Sequence, residues 1–88
     1  MKLSEMITEY KREKANADLL GDRWEMEPEN ADLETAFAEA YEKEFNLFVK
    51  ITEEVVKLSS GRIDIYTARM MVKRRLADLE NLVEMANL

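Results

Sequence analysis

The sequence predicts an all-α protein, an elongated three-helix bundle built on a long antiparallel helical hairpin with a short first helix. Three observations carry that expectation. Only two Gly and one Pro interrupt 88 residues; the stretches between them are rich in Ala, Leu, Glu, Lys, Arg and Met, the strong helix formers; and the apolar residues recur at spacings of three and four. A chain of this length is one domain, residues 1–88. With 47% apolar and 36% charged residues, it has enough oily side chain for a core and enough charge for solubility.

Punctuation at Gly21, Pro28 and Gly61 sets the expected elements. A first helix over about 4–20 has Ser4 as cap and Leu3, Met6, Ile7 and Tyr10 as its stripe. Lys14 then intrudes, Ala17 and Leu20 resume the stripe weakly, and Gly21 offers a left-handed stop. An acidic connector over 21–30 follows. The second helix, about 31–59, starts at Asn30 with Asp32 and Glu34 in its first turn, where the macrodipole favours negative charge. Leu33, Phe37, Ala40, Tyr41, Phe48, Ile51, Val55 and Leu58 share its face, and Phe45, Thr52 and Val56 widen it. The third, about 65–87, has Asp64 as cap and a continuous stripe: Ile65, Ala68, Val72, Leu76, Leu79, Leu82, Val83 and Ala86.

These patterns pair helices two and three as the hairpin, some 35 to 45 Å long, against a first helix of about 24 Å. The shorter helix leaves part of the hairpin bare. Either the connector with Trp24 and Met26 folds over it or a second chain does, which makes a dimer as plausible as a monomer. Glu44 and Arg75 break the two stripes, and facing each other they would form a register-setting structural ion pair; the alternative is that each snorkels outward or pairs with another group such as Lys14.

Composition narrows the chemistry. Without Cys or His there is no disulfide, no Cys/His zinc site and no imidazole acting near neutral pH. No Gly-rich phosphate loop or nucleophile elbow occurs, and Ser59-Ser60-Gly61 reads as a helix end. The acids have neither EF-hand spacing nor the Glu-x-x-His of a di-iron bundle. The expectation is a protein that is not an enzyme and uses no metal and no cofactor. No apolar stretch reaches the length of a membrane span and no signal peptide is supported, so a cytoplasmic protein with no membrane contact is expected.

The net charge of −6 is concentrated in one region. Residues 22–44 hold nine acids against two bases, whereas the residues before them balance and those after carry one excess base. In Trp24-Glu25-Met26-Glu27-Pro28-Glu29 acids alternate with larger side chains, which an extended backbone would sort onto opposite sides. The candidate partner-binding residues are therefore Glu25, Glu27, Glu29, Asp32, Glu39 and Glu42 for charge, with Trp24 as apolar anchor and Tyr41 as a second. The matching partner is a protein with a basic surface, most often one that binds nucleic acid. In size and charge the chain resembles the small acidic inhibitors that phages and mobile elements make against restriction and CRISPR enzymes. That resemblance implies carboxylates standing in for phosphates at a nucleic-acid site.

Two alternatives remain open at this stage. One is a homodimeric structural or adaptor subunit using its apolar helix faces. The other is a nucleic-acid binder through Arg62, Arg69, Lys73, Arg74 and Arg75 around the start of helix three, which the acidic remainder and the scattering of these bases around the helix disfavour. Neutralisation by acids of helix two, of a dimer mate or of a target is the favoured role for these bases.

Overall fold

The computed structural model describes residues 1–88. It is all-helical, with α1 over Leu3–Met26, α2 over Ala31–Leu58, α3 over Ile65–Arg74 and α4 over Leu76–Met85. No helix is long and apolar enough to cross a membrane.

α1 is not short. It runs for 24 residues straight through Gly21, because a glycine within a helix costs only about 1 kcal/mol and does not by itself end one. Here it serves a close approach: a Cβ on Gly21 would lie 3.1 Å from Cε1 of Phe37 on α2. Nor does Ser4 cap the helix. Lys2 holds the N-cap position without a side-chain bond, while Ser4 lies in the first turn and its carbonyl accepts from Oγ1 of Thr8. The stop is Pro28, which pushes the preceding residue out of helical geometry, and Glu27 sits at φ −133°, ψ 62°. Consequently the expected connector over 21–30 shrinks to Glu27–Asn30, a tight turn closed by the Asn30 N–H donating to the Glu27 carbonyl at 3.0 Å.

The caps of α2 and α3 form as the residue types predict. The Leu33 N–H donates to Oδ1 of Asn30 at 3.1 Å, and the Thr67 N–H donates to Oδ1 of Asp64 at 2.7 Å. α2 ends at Ser59–Gly61, where Ser60 and Gly61 take positive φ and the Gly61 N–H returns to the Val56 carbonyl.

The close hairpin is α1 against α2, not helix two against a long helix three. The expected third helix breaks at Arg75, which has φ −134° and ψ 39° and bonds through Nε to Asp78 at 3.0 Å. α3 doubles back along the C-terminal half of α2, and α4 then returns along the N-terminal half of α1, with Lys11 meeting Glu80 at 3.2 Å. One end of the molecule is thus four helices thick and the other only two, within 47 × 22 × 21 Å.

The core follows from this arrangement. Leu3, Ile7 and Tyr10 of α1, Leu47, Phe48, Ile51 and Val55 of α2, Ala68 and Val72 of α3, and Leu79 and Val83 of α4 form one buried cluster at the thick end. In the two-helix arm only Ala17 and Ala40 are buried. Thr52, the single buried polar residue, donates its hydroxyl to the Val49 carbonyl at 2.8 Å.

Ile51 is 0% exposed, so Ile51→Ala should lower unfolding free energy by about 2–5 kcal/mol, read as a lower urea midpoint. A second outcome concerns pH. The Thr67 N–H holds the Asp64 carboxyl below the ordinary carboxylate range. A depressed carboxyl stabilises the fold above its unfolded pKa and loses that contribution as pH falls through the folded value. Asp64→Asn keeps the acceptor, so its urea midpoint should fall less than that of the native chain on acidification.

Candidate protein-binding surface

The two-helix arm carries the acids. Arg23, Trp24, Glu25 and Met26 form the last turn of α1, Glu27–Asn30 the turn, and Asp32, Glu39 and Glu42 ride the first half of α2. Glu25, Glu27, Glu29, Asp32, Glu39 and Glu42 are all exposed, and none lies within ion-pair distance of a Lys or Arg. Of the nine acids in residues 22–44, Glu44 alone has an intrachain ion pair. No three acidic groups converge on a common point.

Some of this charge sits where the fold gains nothing from it. Asp32 and Glu34 lie in the first turn of α2, at the favourable pole of its macrodipole. Glu25 lies instead in the last turn of α1 and Glu27 just beyond it, where a negative charge opposes the dipole at about 0.3–1 kcal/mol each.

The apolar anchor is only partly where alternation placed it. Because Trp24–Met26 is helical, the carboxylates are not sorted to one side. Met26 is 86% exposed and covers nothing. Trp24 is half-buried and stacks on Phe37 with centroids 5.8 Å apart and planes at 27°. Its Nε1–H is shielded from solvent and has no acceptor. Phe37 in turn meets Tyr41 at 6.2 Å, so the arm is held by an aromatic row seated against Gly21, a contact that sequence spacing does not reveal.

The expected ion pair between Glu44 and Arg75 is not made. Glu44, with a side chain 17% exposed, meets Lys14 at 3.9 Å, and Lys14 also reaches Asp18 at 3.3 Å. Arg75 lies at the surface with Asp78, because the break between α3 and α4 takes it out of the stripe. The Lys14–Glu44–Asp18 cluster marks the waist where the core ends. The Asp18 bond raises the Lys14 ammonium pKa, with the charges of Asp18 and Glu44 adding to it against burial. Beside it the Tyr10 phenol is pushed up by burial first and by the Glu44 charge second.

The bases of α3 are not neutralised within the chain. Arg62, Arg69, Lys73 and Arg74 make no ion pair; Arg69 lies over the Tyr66 ring at 5.9 Å and Lys73 over Phe48 at 5.1 Å. Between α2 and α3 runs an open groove of about 590 Å³ with Phe45, Phe48, Val49, Ile65 and Met70 on its apolar walls and Arg69, Lys73 and Arg74 along its lip.

No protein-family model, curated protein or solved structure matches this chain.

The waist can be tested separately from the tip. Lys14→Met leaves a largely covered Glu44 without its partner and should lower stability by up to about 1 kcal/mol. Adding Glu44→Leu should recover that loss, since replacing both members of a shielded pair by apolar groups removes the desolvation cost. A double-mutant cycle in urea reads both effects.

Proposed function

We propose that the chain is a non-enzymatic acidic binding module that docks its arm on the basic, nucleic-acid-binding surface of a partner protein, as an inhibitor of the anti-restriction or anti-CRISPR type. One observation carries the reading: six exposed carboxylates on the two-helix arm, four of them at or beside the hairpin tip, make no ion pair within their own chain. A field of that sign steers a basic surface toward the tip and makes encounter dependent on salt.

Geometry adds two supports. The acids stand on two helices and on the four-residue turn between them, which the Trp24–Phe37 stack and the Asn30 cap hold in place, so little order has to be gained on docking. Glu25 and Glu27 oppose the dipole of α1, and a positive surface docked at the tip would relieve that repulsion. In this reading Glu25, Glu27, Glu29 and Asp32 make the direct contacts, Glu39 and Glu42 extend the field along α2, and Trp24 is the apolar anchor.

Native protein immobilised at low salt should capture a nucleic-acid-binding protein from host lysate and release it to added salt or competing DNA or RNA. Glu25→Lys/Glu27→Lys/Glu29→Lys should retain the native helical circular dichroism while affinity falls at least about tenfold, ~1.4 kcal/mol. Capture at native strength by that triple variant would reject the reading.

A further inference from the structure

Above the point where α3 ends, one face of α2 has no neighbour. Positions 34, 38, 41, 45, 48 and 52 follow each other at alternating spacings of four and three, the seam along which one helix packs on another. Glu34, Ala38, Tyr41, Phe45, Phe48 and Thr52 occupy them. Under α3 the seam is closed, and Phe48 and Thr52 are buried. Beyond it Tyr41 and Phe45 are 57% and 52% exposed, and the seam opens directly into the groove with the basic lip.

The groove defines what fits it. Its walls are apolar, and its lip has three bases, Arg69, Lys73 and Arg74, against one acid, Glu53. An occupant must be a helix with an apolar seam flanked by carboxylates. The upper half of α2 is such a helix: Ala38, Tyr41 and Phe45 line its seam, Glu34 continues it, and Glu42 borders it at about 60° from Phe45, taking roughly 100° of turn per residue.

We propose that a second copy of this chain fills the groove. The two α2 helices run antiparallel about a twofold axis near Tyr41 and Phe45. Each protomer lays the upper seam of its α2 against the other's groove, so Glu34 and Glu42 of one copy face Arg69 and Lys73 of its mate. Such an interface is self-complementary, and every acid–base contact in it occurs twice. It neutralises bases that have no acid within their own chain and covers the exposed aromatic rings. The turn Glu27–Asn30 is left at the two far ends, so the direct contacts assigned to Glu25, Glu27, Glu29 and Asp32 lie outside the dimer interface, and Glu42 is the one acid shared between the two surfaces.

Sedimentation equilibrium of the full chain should show a dimer that weakens as salt is raised. Glu34→Lys/Glu42→Lys and Arg69→Glu/Lys73→Glu should each be monomeric with unchanged helical circular dichroism, because each variant puts like charges at both contacts. Mixing the two variants should restore a one-to-one heterodimer, in which both contacts again pair opposite charges. A native chain that stays monomeric would overturn the proposal, whether its groove then takes a foreign ligand or its own straightened α4. A dimer indifferent to either pair of reversals would overturn it as well.

Discussion

The fold-back of α4 onto α1 at Arg75 governs the rest of the molecule. Drawn out as one helix, the last apolar stripe would continue up α2 and cover the arm; folded back, it covers the lower half from a second side. Leu79 and Val83 then join Leu3 and Val55 in the cluster around Ile51, and each fully buried aliphatic side chain contributes about 1.5–3 kcal/mol. Against that stands the interruption of the helical ladder after Arg75: the Arg75 N–H still finds the Met71 carbonyl and the Asp78 side chain holds the arginine, but the N–H groups of Leu76, Ala77 and Asp78 make no backbone hydrogen bond. A compact core at one end and a bare arm at the other are consequences of the same choice.

This choice is invisible in the periodicity. Ile65, Ala68, Val72, Leu76, Leu79 and Val83 keep one helical phase across the break, and no Gly or Pro marks it. The stripe specifies that these side chains are covered but not by which neighbour. Short-range features are legible for the opposite reason: Asn30 and Asp64 act on N–H groups three residues away, so their roles follow from residue type and position. Gly21 lies between the two cases. Its freedom suits a helix stop, yet the helix runs through it and the missing Cβ makes room for Phe37 of the other helix, a use that only the tertiary approach discloses.

The candidate surface divides along the same line. Its charge is a property of the sequence, and the exposure of Glu25, Glu27, Glu29, Asp32, Glu39 and Glu42 follows from the low cost of leaving carboxylates in water. Their arrangement was not legible, because it depended on whether residues 21–26 were helical. The partner of Glu44 is legible only as a choice between Arg75 and another group such as Lys14. A register built on helices two and three points to Arg75, whereas the α1–α2 hairpin brings Lys14 to the waist.

Separation explains why the two charged regions do not cancel. From Asn30 to Phe45, beside which Lys73 lies, α2 rises about 22 Å. At 0.1 M salt exposed charges are screened over about 10 Å. The tip acids and the bases of α3 therefore sit more than two screening lengths apart on a rigid helix and cannot satisfy one another within the chain. Each must be balanced by solvent ions or by another molecule, and release of those ions favours association with a surface of opposite sign. The long hairpin thus keeps an acidic end and a basic groove apart on one small fold, available to different contacts at the same time.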